Sequence, residues 1–149
     1  MSQAQLRHET IVCFGTSITY GTPYLSREDA WPALLERRLN QRFGPAGVRT
    51  TCINAGVPGH NTVEGLERIQ RDVLDHKPDV VVIEFACNDV RWEPEKRVEL
   101  GQFRANLLEM VRRIRQVGAE MVITTPSPII DAFHTYSQGI DFYRPWGGC

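Results

Sequence analysis

A short apolar run that stops at a glycine and a serine constrains the fold of this chain more than any other feature. Residues 11–14 read Ile-Val-Cys-Phe and are followed by Gly15, Thr16 and Ser17. A β-branched apolar run before a turn is typical of a buried strand. We therefore expect Ser17 to lie just past the carboxyl end of the first strand. In an open parallel sheet, that edge is where ligands bind.

Two further runs end in the same way. The run over residues 48–54 leads to Gly56, and the apolar run that begins at Val80 leads to Asn88. A fourth strand is expected over residues 121–125. Because the carboxyl ends of parallel strands share one edge of the sheet, we expect Ser17, Gly56 and Asn88 to come close together.

Helical patterns separate the runs. Asp29 is the expected N-cap of the first helix, and Asn61 with Glu64 forms a capping-box pattern at the start of the second. Gly118 is the expected stop of the third. Strands that alternate with helices over short links indicate an α/β fold with three α/β/α layers around a parallel sheet. The 149 residues are enough for one domain, residues 1–149.

The alternation stops at Pro126. Residues 127–149 contain prolines, glycines and aromatic residues with neither strand nor helix periodicity. This composition predicts an irregular tail.

The composition excludes several classes of protein. Seventeen Lys and Arg residues balance eighteen Asp and Glu residues, for a net charge of −1, so no basic surface for nucleic acid is expected. The apolar run at residues 80–83 is too short to cross a bilayer, and the N-terminus has no apolar signal region. Four cysteines, at positions 13, 52, 87 and 149, lack metal-ligand spacing. We expect neither a disulfide framework nor a metal, and a cytoplasmic location.

The three strand ends with Ser17, Gly56 and Asn88 resemble the SGNH or GDSL family of serine ester hydrolases over residues 10–126. This resemblance implies a flavodoxin-like SGNH hydrolase fold with strand order 2-1-3-4. It also implies Ser17 as the nucleophile, with an oxyanion hole built from the Ser17 N–H, the Gly56 N–H and the Asn88 side-chain amide. The family continues with a fifth strand and a closing helix, so we expect this domain to be incomplete at its C-terminus.

The base that would activate Ser17 has two candidates. Asp131 and His134 match the Asp-x-x-His pattern of the family, in which the carboxylate orients the imidazole that accepts the serine proton. His60 follows the second strand and belongs to the same edge of the sheet. His8 and His76 precede strands and belong to the opposite edge, which excludes them.

The motifs depart from the family pattern at two positions. Thr16 stands where the family has an aspartate, which removes a charge beside the nucleophile. Ala86 stands where the third motif opens with glycine, which adds a methyl group near the floor of the pocket. Glu84 is a carboxylate within an apolar strand, and we expect it to lie near an edge or to pair with a basic side chain.

These observations favour a serine carboxylic ester hydrolase that acts on small acyl esters or acetylated sugars without a metal or cofactor. One alternative is a truncated or inactive hydrolase fold that lacks its catalytic histidine. Another is a flavodoxin-like module whose serine loop binds the phosphate of a nucleotide. The expected partners are a small-molecule ester and a second copy of the chain, paired along an uncovered fourth strand, with no nucleic acid and no membrane span.

Overall fold

The structure, a computed structural model, describes residues 6–22, 25–91 and 95–126. The strands within this part are β1 (Arg7–Gly15), β2 (Val48–Gly56), β3 (Val80–Glu84) and β4 (Glu120–Ile123). The helices are α1 (Ser17–Tyr20), α2 (Trp31–Phe43), α3 (Thr62–Asp72) and α4 (Leu100–Gln116). The tail predicted for residues 127–149 lies outside the described residues, as do the implied fifth strand and closing helix.

The strands form a parallel sheet in the order β2-β1-β3-β4, which confirms the predicted α/β fold and strand order. The last residue of β1, Gly15, is in register with Gly56 of β2 and with Glu84 of β3. The carboxyl ends of the three strands are therefore level with one another. The turns that follow them emerge side by side from one edge of the sheet.

Helices cover both faces of the sheet, as the alternating pattern predicts. On one face, residues of α2 pack against the cluster formed by Ile11, Cys13 and Val82. On the other face, α3 and α4 bury the larger core, whose fully enclosed side chains include Val12, Phe14, Ile69, Val81, Ile83, Met110 and Ile114. Because β1 and β3 are covered on both sides, their sequences are continuous apolar runs rather than alternating ones.

Of the two predicted N-terminal caps, one is confirmed and the other is wrong. The capping box of α3 is confirmed, since Asn61 Oδ1 accepts from Val63 N–H at 2.8 Å and Glu64 Oε2 accepts from Asn61 N–H at 2.8 Å. Asp29 as an N-cap is wrong, because α2 begins at Trp31 after Ala30 and has no side-chain cap. Asp29 instead accepts a hydrogen bond from the Ser26 hydroxyl at 2.8 Å.

Residues 6–22, 25–91 and 95–126 contain neither a helix suited to a membrane nor a cluster suited to a metal. None of the helices there combines the length and apolarity that a bilayer span requires. No group of three or more His, Cys, Asp or Glu side chains in the same ranges is placed to hold a metal ion.

Candidate active site

The turns after β1, β2 and β3 bring Ser17, Gly56 and Asn88 to one edge of the sheet. Ser17 follows β1 and opens α1, Gly56 is the last residue of β2, and Asn88 lies four positions beyond the end of β3. Since β1 is hydrogen-bonded to both β2 and β3, these three turns are neighbours. Asp131 and His134 lie outside the described residues.

The residues that carry Ser17 form a single helical turn, residues 16–20, which we call the serine turn. Thr16 is its N-cap, and the Thr16 hydroxyl accepts from Ile18 N–H at 3.4 Å. The Gly21 N–H closes the turn by donating to the Ser17 carbonyl at 2.9 Å. One turn of helix is too short to be stable by itself, so its conformation depends on contacts from outside.

Glu84 supplies several of these outside contacts. Its Oε2 accepts from Thr16 N–H at 3.1 Å, from the Thr16 hydroxyl at 2.9 Å and from the Thr19 hydroxyl at 2.9 Å. The side chain is buried beneath the serine turn. The expectation of a basic partner is wrong: among the described residues, this carboxylate accepts from one backbone amide and two hydroxyls.

Gly56 has a packing role that its assignment to an oxyanion hole does not include. Its N–H donates to Asn54 Oδ1 at 3.0 Å, so this donor is already in use. A Cβ at Gly56 would lie 2.3 Å from Tyr20 N and 2.8 Å from the Thr16 carbonyl oxygen. Asn54 Nδ2 also donates to the Thr19 carbonyl at 2.9 Å. The end of β2 therefore supports the backbone of the serine turn, and in this conformation the Gly56 N–H is not available to an oxyanion.

Gly59, three residues further along the chain, differs from Gly56 in its exposure and in the hydrogen bonding of its N–H. It is exposed, and no hydrogen bond of its N–H to another backbone group occurs among the described residues. Its φ of +81° lies in the left-handed region that favours glycine. The Gly59 carbonyl accepts from Arg91 Nη2 at 2.8 Å, which joins this loop to the turn after β3. The Pro58-Gly59 dipeptide, which is typical of a turn, was the available sequence signal for this residue.

The side-chain amide of Asn88 is oriented by the loop after β2. Asn88 Nδ2 donates to the His60 carbonyl at 2.8 Å. A primary amide has two N–H donors, so one remains for a ligand. The neutral amide keeps this donor at every pH, which suits it to hydrogen-bond an oxyanion.

Asp89, the next residue, is fully buried and joins the same turn to the start of α3. Its Oδ1 accepts from the N–H of Thr62 at 2.9 Å and from the Thr62 hydroxyl, while Oδ2 has no partner among the described residues. The Thr62 hydroxyl in turn accepts from Asn106 Nδ2 at 3.0 Å. Burial raises the pKa of the Asp89 carboxyl, and the hydrogen bonds from Thr62 oppose this effect.

Ala86 adopts an unusual backbone conformation. Its φ is +137°, in a region that glycine enters freely and that other residues rarely adopt. The Ala86 carbonyl accepts from the N–H groups of Asp89 and Val90 at 2.9 and 3.2 Å, and these bonds define the turn that carries Asn88. Only 1% of the residue is exposed, so its methyl group is buried rather than presented to a ligand.

The histidines of the described residues separate as the topology predicts. His8 lies near the start of β1 and His76 in the turn before β3, both at the opposite edge from Ser17. His60 follows β2 at the same edge, and its Nδ1 is buried with no hydrogen-bond partner among the described residues. Among these histidines, a ring hydrogen bond joins His8 to Thr51, and none of the three forms a hydrogen bond with Ser17 within the described residues.

Arg68 is the residue that sequence reasoning missed. It is 6% exposed and donates to the Gly15 carbonyl and to the Ala55 carbonyl, both at 2.8 Å. Its guanidinium lies 4.5 Å from the ring centroid of Phe14 and forms an ion pair with Asp72. Burial lowers the pKa of Arg68. The available signal was its place in the apolar stripe of α3, one position before Ile69.

Comparisons with known proteins agree with this geometry. Residues 13–145 match the GDSL-like Lipase/Acylhydrolase family. The chain is 32% identical over 124 residues to an arylesterase of Vibrio mimicus, covering 83% of this chain and 57% of that protein. It is 31% identical over 130 residues to the uncharacterized lipoprotein YqeF of Bacillus subtilis (strain 168), covering 83% of this chain and 51% of that protein.

A solved structure adds agreement in three dimensions. The crystal structure of the lipase/acylhydrolase from Enterococcus faecalis is 31% identical and superimposes with a TM-score of 0.61. The match covers 83% of this chain and 60% of that one. In each of these three comparisons, the chain spans less than two thirds of the relative's length.

Proposed function

Because the chain belongs to the GDSL-like lipase/acylhydrolase family, we propose that it is a serine ester hydrolase that cleaves small acyl esters through an acyl-enzyme. One observation carries the proposal: the Ser17 turn and the Asn88 amide follow neighbouring strands, Glu84 of β3 accepts hydrogen bonds from the Ser17 turn, and the loop after β2 accepts one from the Asn88 amide. A nucleophile and a neutral oxyanion donor at one sheet edge suit acyl transfer.

In the proposed reaction, Ser17 Oγ attacks the carbonyl carbon of the ester and loses its proton to a general base. The oxygen of the tetrahedral intermediate accepts hydrogen bonds from the Ser17 N–H and the Asn88 side-chain amide. We assign the third donor to the Gly59 N–H in place of the Gly56 N–H, because Gly56 already donates to Asn54. The base then gives this proton to the leaving oxygen, and the alcohol departs. Water next loses a proton to the same base and attacks the acyl-enzyme carbonyl, and the acid leaves as the base returns the proton to Ser17 Oγ.

Asp131 and His134 remain the proposed orienting carboxylate and general base. His60 is the alternative base, and its unpartnered Nδ1 at the correct edge supports keeping it in the test. Without either base the chain would be the inactive hydrolase fold considered above. The comparisons do not favour the phosphate-binding alternative, since the relatives with named activities are esterases and acylhydrolases.

The proposed substrates are small acyl esters, including acetylated sugars. The name of the Vibrio mimicus relative supports esters of phenols as first probes. A cytoplasmic location and pairing of two copies along β4 stay predictions: one relative is named a lipoprotein, and Val122 and Ile123 of β4 are about half exposed.

The test is hydrolysis of p-nitrophenyl acetate and butyrate at neutral pH by the wild type and by Ser17→Ala, His134→Ala and His60→Ala. His76→Ala is the matched control, because His76 lies at the opposite edge of the sheet. We expect Ser17→Ala and His134→Ala each to lose about 10³-fold or more in kcat, as in other serine triads. Wild-type activity equal to that of Ser17→Ala would contradict the proposal. A loss in His60→Ala but not in His134→Ala would reassign the base.

A further inference from the structure

We infer that Glu84 is the positioning residue of the serine turn, fixing the conformation in which Ser17 presents its hydroxyl. The inference rests on the proposed function, because it gives Glu84 a part in catalysis only if Ser17 is the nucleophile. Glu84 does not contact the reacting atoms, and it acts through Thr16 and Thr19. These two residues flank Ser17 on either side along the turn.

The hydrogen bonds that Glu84 accepts converge on one oxygen and come from one turn of the chain. One oxygen, Oε2, accepts three hydrogen bonds from the described residues, and all three donors belong to the serine turn. The donors are separated in sequence from Glu84 by 65 and 68 residues, so these are tertiary contacts. Glu84 is the last residue of β3 and is in register with Gly15, so a rigid strand places its carboxylate directly beneath the turn.

A carboxylate is the side chain that this cluster requires. The Thr16 N–H and the two hydroxyls all donate to Oε2, and hydrogen bonds to a carboxylate oxygen are stronger than those to the neutral oxygen of an amide. By donating to Glu84, the Thr16 hydroxyl keeps its lone pairs for the Ile18 N–H that it caps. The same hydroxyl therefore links the buried acid to the backbone that follows Ser17.

The cost of burying Glu84 also favours a functional constraint. A carboxylate in an apolar strand is costly to bury, and an apolar side chain would serve the core without this cost. The benefit falls on a helix of four residues, which cannot form by itself in water. A displacement of the nucleophile by about 1 Å reduces the rate by about 10²-fold, so a constraint on this turn bears directly on kcat.

The test compares Glu84→Gln, Thr19→Val and Thr19→Ser with the wild type. Glu120→Gln is the matched control, since Glu120 is an exposed carboxylate on the neighbouring strand β4. We expect Glu84→Gln to lower kcat by about tenfold or more while KM changes by less than about twofold. A misplaced nucleophile reduces the stabilisation of the transition state but leaves substrate binding unchanged. Thr19→Val should change kcat in the same direction, and Thr19→Ser, which keeps the hydroxyl, should restore it.

A second readout does not depend on catalysis. Amide hydrogen exchange measured by NMR should show faster exchange of the Thr16 N–H in Glu84→Gln and Thr19→Val, and wild-type exchange in Thr19→Ser and Glu120→Gln. Unchanged kcat and unchanged Thr16 exchange in Glu84→Gln would overturn the inference, as would equal losses in Thr19→Val and Thr19→Ser. If the wild type hydrolyses no ester, the proposed function fails, and the Thr16 exchange rates alone decide whether Glu84 fixes the turn.

Discussion

At the scale of single residues, the loops after β2 and β3 each contain a residue whose φ angle is in the left-handed half of the map. Gly59, at +81°, has the residue type that suits this conformation, whereas Ala86, at +137°, does not. Strain of this kind persists where surrounding contacts over-determine the backbone, and functional sites are common places for it. At Ala86, the two hydrogen bonds to its carbonyl and the burial of its methyl group provide those contacts.

Substitutions at Ala86 and Gly59 are therefore expected to change the free energy of unfolding in opposite directions. Ala86→Gly should raise the free energy of unfolding by about 1 kcal/mol, since relief of strain exceeds the greater freedom of glycine in the unfolded chain. Gly59→Ala should lower it by about 1 kcal/mol, because the added Cβ has room, 3.6 Å from Arg91 Nη2, but the backbone does not suit it. Urea denaturation of both variants measures these changes. A destabilised Ala86→Gly would show that packing of the methyl group dominates.

At the scale of elements, α3 connects the ends of two strands through one side chain. Arg68 donates to carbonyls of Gly15 in β1 and Ala55 in β2, beside the residues that lead into the candidate site. Asp72, one helical turn later, pairs with both Arg68 and the exposed Arg71. The buried and the exposed arginine thus share one carboxylate, which makes them a matched pair.

Arg68→Met should lower the free energy of unfolding by about 3 kcal/mol, because the buried carbonyls of Gly15 and Ala55 each lose a charged donor that an apolar chain cannot replace, although the Gly15 carbonyl keeps the Val57 N–H. Arg71→Met should leave stability unchanged within error, since an ion pair on the surface contributes little. Urea denaturation compares the two variants. Equal effects would show that charge near Asp72, rather than the hydrogen bonds to the strand ends, accounts for the role of Arg68.

At the scale of the whole molecule, some carboxyl groups stabilise the fold at high pH and another stabilises it at low pH. Hydrogen bonds from Arg71 lower the pKa of Asp72, and those from Arg112 lower the pKa of Glu109 to about 2. Asp72 and Glu109 stabilise the fold at pH values above the ordinary pKa of a carboxyl group. This stabilisation is lost as the pH falls through the pKa that each group has in the folded protein. Burial raises the pKa of Asp89, so the contribution of Asp89 is present at low pH and is lost as the pH rises through its folded value.

The substitution Asp89→Asn isolates the loss of stability that ionisation of Asp89 causes as the pH rises. Asparagine keeps the shape and an oxygen acceptor for Thr62 but cannot ionise. The free energy of unfolding of Asp89→Asn should therefore rise relative to that of the wild type as the pH increases from the ordinary carboxyl range, near 3.8, towards neutrality. Urea denaturation at a series of pH values measures this difference. Parallel curves for the two proteins would contradict a raised pKa at Asp89.

The sequence by itself determined the order of the elements and the edge of the sheet that carries Ser17 and Asn88. These features follow from local chemistry: apolar runs form buried strands, and the Asn61 and Glu64 spacing caps α3. The sequence reasoning also separated His8 and His76 from the candidate site, because residues before and after parallel strands lie at opposite edges. It could not test Asp131 and His134, which lie outside the described residues.

The tertiary structure alone decided which polar groups meet. Glu84 contacts Thr16 and Thr19 across more than sixty residues of sequence, Arg68 joins two strand ends, and the Gly56 N–H is taken by Asn54 rather than left for a ligand. The physical reason is that hydrophobic periodicity reports how each segment is buried, whereas a hydrogen bond depends on the position and direction of individual atoms. Those become defined only when the strands have paired and the helices have packed onto them.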